Sequence, residues 1–555
     1  MDAADDLVFV ALGGLGEIGM NAALYGFGPP AQRKWLMVDL GVAFAGAELP
    51  GIDLIMPDVE FIEGLKRNLV GLVITHAHED HLGAIGDLWS RLGCNVYATR
   101  FAAGLLQSKA LSEPGAPPVP IHVVGLGTSV DLAPFAVEFV AVAHSIPESA
   151  ALVVRTPAGT VVHSGDWKID ATPMVGLPTD VARLRAVGDG GVLALICDST
   201  NILREGVSPS EADVARTLSD LIASAPGRVA VTTFASNVAR IRAVAEAAAA
   251  TGRQVVVIGR AMQRVLDVAG DCGYLENLPT FLSPDAFDRL PRDRIVALVT
   301  GSQGEPRAAL ARIAEDEHPE VRLAAGDRVI FSSRTIPGNE KGVGQIINGL
   351  VAQGIEVITD RTHLVHVSGH PRRSEVAEMY GWLRPKIAIP AHGEALHLAE
   401  HARFARGLGI AHVVKARNGD MVRLGPGEPC IVDEAPHGRL CRDGGLVLAA
   451  DDQAIQQRGK LSFSGVVSIA IAVNARGDVA GSPDVVFAGL PGRGRDSKPI
   501  DEIIDDAIFE TLDGLPRQKR RDPDTAAIAV ERAVRSAVGN AWGKKPTVHV
   551  LIVEV

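Results

Sequence analysis

The feature that most constrains this chain is the run His76-Ala77-His78-Glu79-Asp80-His81, which directly follows the apolar segment LVGLVIT. That segment has the length and composition of a buried strand, and the run then lies at the strand's end. Alternate positions of an extended segment place His76 and His78 on one side, whereas Asp80 and His81 fall in the following turn. Imidazoles and a carboxylate clustered in this way predict a metal site.

Further candidate ligands stand after other apolar segments: VEFVAVA is followed by His144, Asp166 ends VVHSGD, and IAIPAHGE contains His392. The full set divides between two ions: one takes His76, His78 and His144, the other takes Asp80, His81 and His392, and Asp166 bridges them. Imidazole and carboxylate ligands without thiolate favour two Zn²⁺ per subunit, with Mn²⁺ or Mg²⁺ as alternatives. Two ions about 3.5–4 Å apart are typical of enzymes that cleave phosphodiesters.

The hydrophobic pattern predicts more than one domain. Up to about residue 200 it shows short apolar strands between loops rich in Gly, Pro and Asp. From about 207 helical segments alternate with strands, which is typical of a parallel sheet. Strands with candidate ligands return at 363–393, so the second domain is inserted into the first. Residues 461–555 have strands and a helix of their own.

Composition restricts the class of protein. The 555 residues include no run of 18 apolar residues that would predict a membrane span. Five widely spaced cysteines form no CxxC pair, and the opening MDAADD is acidic, unlike a signal peptide, so we expect a cytoplasmic protein. The formal net charge of −12 argues against non-specific coating of nucleic acid, yet it allows a nuclease with a local basic groove.

The whole set of motifs resembles the metallo-β-lactamase superfamily and, within it, the β-CASP nucleases. Asp198 in CDSTN, His370 in HVSGH and His392 in PAHGE are similar to β-CASP motifs A, B and C. The segments TTFASN, GSQGEP and SSRTIPGNE, with a C-terminal segment that ends in VHVLIVEV, resemble the bacterial ribonuclease J family. This resemblance covers nearly the whole chain.

The resemblance implies an α/β fold: a metallo-β-lactamase αββα sandwich, an inserted β-CASP α/β domain and a small C-terminal α+β domain. The expected sandwich comprises 1–206 and 363–440, and the inserted domain 207–362. A linker is expected at 441–460, followed by the C-terminal domain at 461–555.

The resemblance also implies roles for residues beside the metal ligands. Asp198 and His370 form a dyad in which His370 gives a proton to the leaving oxygen or steadies the phosphate. Asp39, which follows WLMV, orients a ligand histidine. The simpler interpretations are that Asp198 caps the turn DSTN and that Asp39 is an ordinary turn residue.

A third set of residues is expected to contact RNA. The loop that grips a phosphate consists of His366, Val367, Ser368, Gly369 and His370. Ser236 and Asn237 help to bind the 5′ phosphate, and Phe44 either stacks on a base or is a small hydrophobic anchor.

The basic clusters of the sequence are modest. Arg372 and Arg373 follow the phosphate loop and are expected to contact RNA, whereas Arg493, Arg495 and RQKRR at 517–521 are expected to be ordinary surface. Pro371, with Arg372 and Arg373, departs from the alanine that the family pattern predicts after HVSGH, which bears on the shape of the substrate loop.

The implied function is that of a cytoplasmic, zinc-dependent ribonuclease that acts on single-stranded RNA. Hydroxide held between two ions attacks the phosphodiester, in 5′→3′ exonuclease action that favours a 5′ monophosphate and in additional endonuclease action. The family serves mRNA decay and rRNA maturation. It suggests a homodimer or homotetramer through the C-terminal domain, with other RNA-decay enzymes as partners and no membrane.

Three alternatives belong to other classes. The segment Gly14–Gly19 reads GxGxxG, with Asp39 further on, as in dinucleotide-binding proteins, but the next residues, MNAALYGFGPP, read as a strand and a turn instead of the required helix. A hydrolase of small esters or phosphodiesters with the metallo-β-lactamase fold would not need the long insertion. A non-catalytic RNA-binding β-CASP subunit would lack metal ligands, whereas in this chain all seven positions are filled.

Overall fold

The structure, a computed structural model, describes residues 5–46, 48–113, 115–336 and 338–555. The first four residues, on which part of the signal-peptide prediction depends, lie outside these ranges. The chain forms two compact units. The first contains the described residues of 1–43 and 54–440, and the second those of 44–53 and 441–555.

The strands are numbered in chain order. They are β1 (Asp6–Gly13), β2 (Leu15–Gly16), β3 (Ala22–Gly28), β4 (Lys34–Val38), β5 (Ala43–Phe44), β6 (Leu54–Pro57), β7 (Leu69–Val73), β8 (Val96–Ala98), β9 (Ile121–Val123), β10 (Ser129–Leu132), β11 (Phe135–Ala141), β12 (Ala150–Thr156), β13 (Gly159–His163), β14 (Ala194–Asp198), β15 (Val229–Thr232), β16 (Gln254–Ile258), β17 (Ile295–Val299), β18 (Arg328–Phe331), β19 (Glu356–Ile358), β20 (Ile387–Ala391), β21 (Gly393–Glu394), β22 (His412–Val413), β23 (Asp420–Gly425), β24 (Cys430–Glu434), β25 (Arg439–Asp443), β26 (Leu446–Ala449), β27 (Val466–Val473), β28 (Asp484–Ala488) and β29 (Thr547–Glu554).

The α-helices are numbered in the same way. They are α1 (Glu60–Glu63), α2 (Glu79–Leu82), α3 (Ile85–Leu92), α4 (Arg100–Ser112), α5 (Val181–Asp189), α6 (Glu211–Ala223), α7 (Val238–Ala250), α8 (Arg260–Asp271), α9 (Ala309–Ala314), α10 (Glu340–Ala352), α11 (Arg373–Leu383), α12 (Ala395–Gly407), α13 (Gln453–Ser464), α14 (Ile500–Gly514), α15 (Arg517–Arg520) and α16 (Pro523–Trp542).

Two large sheets of the first unit share one hydrophobic core. Their strand orders are β24-β23-β1-β3-β4-β7-β8-β9 and β10-β11-β12-β13-β14-β20-β22. Phe9 and Tyr25 of the first sheet and Phe139 and Leu152 of the second belong to this core. Helices α5 and α11 supply buried residues to a second core, which also includes side chains of the second sheet. The predicted sandwich is confirmed.

The segment after Gly19 settles the alternative of a dinucleotide fold. Residues Ala22–Gly28 form β3, which pairs antiparallel with β1 and sets Leu7 opposite Phe27. A dinucleotide fingerprint needs a helix at this point, because the pyrophosphate binds at a helix N-terminus. The GxGxxG match therefore has the wrong structural context.

The inserted segment forms a five-stranded sheet in the order β16-β17-β15-β18-β19. All four pairings are parallel, as the alternation of helices and strands predicted. The motifs TTFASN, GSQGEP and SSRTIPGNE begin at or just after the ends of β15, β17 and β18, which are neighbours at the centre of the sheet. Ligands of open parallel sheets bind in the crevice outside such carboxyl ends.

The second unit contains a small α+β fold, as predicted. Its sheet has the order β28-β27-β29, in which β27 runs antiparallel to β28 and parallel to β29. Helices α14 and α16 pack against it through apolar residues that include Ile504, Ile508, Val530 and Val534. The predicted linker 441–460 contains the end of β25, all of β26 and the start of α13, and the proposed domain boundaries stay predictions.

Within the described ranges, no helix combines the length and the apolar character that crossing a bilayer requires.

Candidate metal centre

The candidate ligands gather because several strands end at one place. Strands β13, β14 and β20 are parallel neighbours, with Val161 opposite Ala194 and Asp198 opposite Ala391. Asp166, Asp198 and His392 therefore lie at or just beyond the carboxyl ends of adjacent strands. The run 76–81 follows β7 of the other sheet, with His81 on the short helix α2.

The first ligand group consists of His76, His78, His144 and Asp166, whose ligand atoms all lie within 4.8 Å of one another. His78 Nδ1 is 3.1 Å from His76 Nε2 and 3.0 Å from His144 Nε2. Burial lowers the pKa of His76 and His144 well below the usual range and that of His78 to about 4. The three imidazoles are thus neutral at pH 7, which is the form that binds a metal.

Hydrogen bonds behind the rings fix which nitrogen is free. His144 Nδ1 is 2.7 Å from the Gly369 carbonyl oxygen, which can only accept, so Nδ1 carries the hydrogen. Thr75 Oγ1 donates to Asp39 Oδ2 at 2.8 Å and so accepts from His76 Nδ1 at 3.0 Å. In both rings Nε2 keeps its lone pair toward the centre. Both lone pairs face His78 Nδ1, which carries at most one hydrogen and can satisfy only one of them, so this donor set fits a divalent metal ion.

The second ligand group consists of Asp80, His81, Asp166 and His392, again within 4.8 Å of one another. His81 Nδ1 lies 2.7 Å from Asp39 Oδ2, which leaves Nε2 to face Asp166 Oδ2 at 3.3 Å. Burial acts against protonation of His81, but the negative charges of Asp166, Asp80 and Asp39 raise its pKa. This surplus of negative charge favours a bound cation.

His392 gives a separate indication that the residues of the site suit a bound metal ion. Its Nδ1 is 2.6 Å from Asp166 Oδ1. Its buried Nε2 has no hydrogen-bond partner among the described residues, although Asp80 Oδ2 lies 3.4 Å away. A buried polar atom without a partner is costly, and a metal ion would satisfy this one.

Asp39 has the contacts of a residue that orients ligands. Its Oδ1 accepts from Thr75 N at 2.8 Å, while Oδ2 serves the Thr75 hydroxyl and His81 Nδ1. The backbone of Asp39 has φ 61°, a left-handed conformation that non-glycine residues seldom adopt. Its role remains a prediction, as do those of the other site residues.

Asp198 and His370 are in direct contact beside the two ligand groups. Asp198 Oδ2 is 2.7 Å from His370 Nδ1, and Asp198 Oδ1 accepts from Thr200 N at 2.8 Å and from its hydroxyl at 2.7 Å. One oxygen therefore caps the DSTN turn while the other holds the imidazole. Burial opposes protonation of His370, yet the charges of Asp198 and Asp166 raise its pKa.

His370 also qualifies by distance as a metal ligand. Asp166, Asp198, His370 and His392 form a third group within 4.8 Å, and His370 Nδ1 lies 3.8 Å from Asp166 Oδ2. Its Nδ1 is already bonded to Asp198, so only Nε2 is free to act on a substrate.

The loop 366–370 lies directly against the first ligand group. A Cβ atom at Gly369 would come within 2.5 Å of the His144 ring, so the glycine is required for that approach. Ser368 Oγ accepts from Asn201 Nδ2 at 2.8 Å and from His370 N at 3.3 Å, which leaves its own hydrogen free to donate. The Val367 side chain is buried, so it can reach a ligand only through its backbone.

His366 lies at the start of the same loop. Burial, Arg240 and Arg334 lower the pKa of His366 well below the usual range. Its Nδ1 is buried and has no hydrogen-bond partner among the described residues. The ring is therefore neutral at pH 7.

The remaining predicted residues belong to other elements of the fold. Asn237 is the N-cap of α7 and accepts from Arg240 N at 2.9 Å through Oδ1, with Ser236 partly buried just before it. Phe44 is 73% exposed and belongs to the second compact unit.

Three residues that support the site escaped the sequence analysis. Thr75 links Asp39 to His76, and Asn201 donates to Ser368 and, at 3.1 Å, to the His370 carbonyl oxygen. Glu375 is fully buried and accepts from the backbone of Ile169, Ser208 and Arg372. Thr75 directly precedes the run 76–81 and Asn201 ends the motif CDSTN, so their positions could have suggested them, whereas nothing local in the sequence marks Glu375.

The comparisons with known proteins identify the families that four segments of the chain match. Residues 50–186 match the family described as "Beta-lactamase superfamily domain", and 354–414 match "Zn-dependent metallo-hydrolase RNA specificity domain". Residues 226–350 match "Ribonuclease J, beta-CASP domain", and 453–555 match "Ribonuclease J C-terminal domain". Fold, ligand groups and matches together define a metallo-hydrolase of the metallo-β-lactamase fold with a β-CASP insertion.

Relatives along the full length narrow this class. The chain is 53% identical to "Ribonuclease J" of Sinorhizobium meliloti, over 99% of this chain and 98% of that protein. It is 38% identical to "Ribonuclease J" of Mycolicibacterium smegmatis, over 100% and 98%, and 37% identical to that of Corynebacterium glutamicum, over 98% and 75%. The chain therefore belongs to the ribonuclease J family and is a metal-dependent ribonuclease.

A solved structure gives support for the fold alone. It is the "Crystal Structure of a Protein of Unknown Function from Enterococcus faecalis V583", with TM-score 0.54 and 16% identity, over 76% of this chain and 100% of the other.

Proposed function

We propose that this ribonuclease combines 5′→3′ exonuclease action, which favours RNA with a 5′ monophosphate, with endonuclease cleavage, and that it uses two Zn²⁺ ions. The observation that carries the proposal is that two ligand groups share Asp166 and adjoin the Asp198–His370 pair. One ion would be held by His76, His78 and His144, the other by Asp80, His81 and His392, with Asp166 common to both.

Zn²⁺ suits donor sets of imidazole and carboxylate, and Mn²⁺ or Mg²⁺ are the alternatives. The cations, when bound, supply an activated water and neutralise charge on the phosphoryl oxygens. Hydrogen bonds to Nδ1 fix the orientation of three ligand rings. The partners are Thr75 for His76, Asp39 for His81 and the Gly369 carbonyl for His144.

His370 is proposed as the proton donor to the leaving 3′ oxygen. Asp198 accepts from its Nδ1 and thereby fixes the ring and favours its protonated form. The proton for transfer is then on Nε2, the nitrogen that Asp198 does not bind. The products are a 5′ phosphate and a 3′ hydroxyl.

Recognition of the RNA 5′ end is assigned to the 366–370 loop together with Ser236 and Asn237. The Ser368 hydroxyl still has a hydrogen to donate, and Ser236 lies at the carboxyl edge of the parallel sheet. A triphosphate is longer and more charged than a monophosphate, so a pocket closed by these groups rejects it. Internal cleavage needs no terminal group. Phe44 is proposed to stack on a base.

In the cell we assign the enzyme to the cytoplasm, to mRNA decay and to rRNA maturation, beside other RNA-decay enzymes. The C-terminal unit is proposed to join subunits into a homodimer or homotetramer. The support for these assignments is membership in the ribonuclease J family together with full-length relatives.

The decisive experiment compares RNAs labelled at the 5′ end or internally, each with a 5′ monophosphate or triphosphate. We expect mononucleotides from the monophosphate form and internal fragments from both forms. Release of mononucleotides at equal rates from both 5′ ends would contradict the 5′-end pocket. Hydrolysis of small esters with no action on RNA would favour the small-ester hydrolase, and tight RNA binding without cleavage the non-catalytic subunit.

A further inference from the structure

The two arginines that follow the phosphate loop have different surroundings. The guanidinium of Arg373 is 2.7 Å from Glu205 Oε1 and 2.8 Å from Glu400 Oε1, and it lies over the Phe404 ring. Arg372 makes no ion pair with any residue in the described ranges and is only partly buried. Arg373 is thus neutralised within the fold, whereas the charge of Arg372 is available to an external anion.

Arg204, on a neighbouring loop, likewise has a charge that is available to an external anion. It is exposed and forms no ion pair within the part of the chain that the structure describes. Its loop is fixed to the start of α11, because Arg373 N donates to the Arg204 carbonyl at 3.0 Å and Asn201 forms a β-bridge with Arg372. The backbones of Arg204 and Arg372 are therefore held close together.

Arg334 approaches the same place from the inserted sheet. It follows β18 by three residues, and Ser332 Oγ in the same segment donates to the Val365 carbonyl at 2.7 Å, next to the phosphate loop. Gln303 Nε2 holds the Arg334 carbonyl at 2.9 Å. Asp360, at 3.4 Å from Arg334 Nε, is its ion-pair partner among the described residues.

The positive charges of Arg334 and Arg372 act on Arg204. Partial loss of hydration, together with the positive charges of Arg334 and Arg372, lowers the pKa of the exposed Arg204, and Asp360 opposes this effect. Three arginines from neighbouring segments are thus collected in a chain whose formal net charge is −12. Repulsion between like charges at fixed positions is relieved when an anion binds among them.

We propose that Arg204, Arg334 and Arg372 form a subsite for a backbone phosphate of RNA, outside the metal centre and beside the 366–370 loop. Planar guanidinium groups bind phosphate oxygens in a bidentate manner, which suits them to this ligand better than ammonium groups. Arg334 comes from the inserted segment and the other two come from the segments beside motifs A and B, so one phosphate would bridge the two. The inference rests on the proposed function and deepens it by naming residues that would hold the RNA backbone.

The test uses the full-length enzyme loaded with metal and a 5′-monophosphorylated single-stranded RNA. Arg204→Gln and Arg372→Gln are each expected to raise KM about tenfold, as loss of a charged hydrogen bond does, with kcat within about twofold. Each lost phosphate contact should also reduce the slope of log KM against log salt concentration by about 0.7. Arg372→Lys should restore the salt slope, since it keeps the charge, but only part of the KM.

Arg216→Gln is the matched control, because Arg216 is an exposed arginine of α6 that pairs with Asp213. It removes the same charge and should change neither KM nor the salt slope. An unchanged slope in both subsite variants would overturn the proposal, and so would a fall in kcat with KM unchanged. Arg204 lies on an exposed loop, so its variant still tests the subsite if the Arg372 variant fails to fold. A wild-type enzyme without exonuclease action would contradict the proposed function and leave the salt test intact.

Discussion

The Nδ1 atom of His144 donates a hydrogen bond of 2.7 Å to the carbonyl oxygen of Gly369, across 225 positions of sequence. A candidate metal ligand is thereby joined to the loop proposed to grip the RNA phosphate. The bond fixes both the tautomer of His144 and the position of the loop. A substitution at either residue should therefore alter both the metal ligand and the phosphate loop.

Gly369→Ala tests this coupling. The added Cβ would lie 2.5 Å from the His144 ring, so the ring or the loop must move. We expect loss of the metal held by the first ligand group and a fall in kcat of about 10²-fold, as displacement of a catalytic group by about 1 Å can cause. Gly381→Ala is the control, because a Cβ at this exposed position of α11 would meet nothing within 4 Å apart from its chain neighbours and the backbone of its own helix. Metal content by mass spectrometry and initial rates are measured for both variants. A Gly369→Ala enzyme with full metal content and normal activity would show that the coupling has no effect.

The second ligand group makes a separate prediction. His81→Ala removes a ring that faces Asp166 at 3.3 Å, and Asp80→Ala removes the carboxylate beside His392. Either change should release one metal equivalent and abolish cleavage while circular dichroism stays unchanged. A chelator should reproduce the loss in the wild type, with recovery when Zn²⁺ is restored. Unchanged metal content with normal turnover in either variant would remove these residues from the ligand set.

Much of the site could be predicted from the sequence because its ligands are local. His76, His78, Asp80 and His81 form one run, and His144, Asp166 and His392 each stand just beyond an apolar segment. Metal binding needs only a few residue types, and here they stand at strand ends, so the pattern is visible in the sequence alone. The parallel sheet of the inserted segment followed from the same reasoning, since the hydrophobic pattern changes near residue 207. The sandwich fold was implied by the resemblance to the family.

What the sequence did not reveal depends on contacts between distant residues. The different surroundings of Arg372 and Arg373 are set by Glu205, Glu400 and Phe404, none of which is adjacent in sequence. The full burial of Glu375 depends in the same way on backbone groups of three separate segments. Hydrogen-bond geometry of this kind is fixed by tertiary packing and leaves no periodic pattern.

His370→Ala distinguishes a proton donor from a metal ligand. If His370 donates the proton, the variant keeps its metals and loses a factor of about 10²–10⁴ in rate. Asp198→Asn should lower the rate in the same direction, because the imidazole loses the charge that raises its pKa. Metal analysis and single-turnover rates on one preparation decide the point. Departure of metal from His370→Ala would make His370 a ligand and require a new assignment of His392.

Ser236→Ala examines the 5′-end pocket. Loss of a hydrogen bond to a charged phosphate costs about 1.5–3 kcal/mol, so exonuclease action on 5′-monophosphate RNA should fall more than tenfold. Internal cleavage does not use the pocket and should stay unchanged. The readout is the ratio of the two activities on one RNA, which cancels errors in enzyme concentration. Ser224→Ala, at the end of α6, is the control. An equal loss of both activities, or of neither, would exclude Ser236 from the pocket.

The last prediction concerns the buried pair that joins the inserted segment to the phosphate loop. Arg240 is fully buried, pairs with Glu211 at 2.9 Å and donates to the Val365 carbonyl at 2.8 Å. Arg240→Ala leaves the Glu211 carboxylate buried without its partner, which costs about 3–5 kcal/mol of stability. Native-state hydrogen exchange of β15 and β18 amides measures that opening free energy locally. Arg216→Ala, whose side chain is 73% exposed, should stay within about 0.5 kcal/mol of wild type. Adding Glu211→Gln to Arg240→Ala removes the unpaired charge and should recover part of the loss. If the single variant were as stable as the wild type, the pair would not hold the inserted segment to the loop.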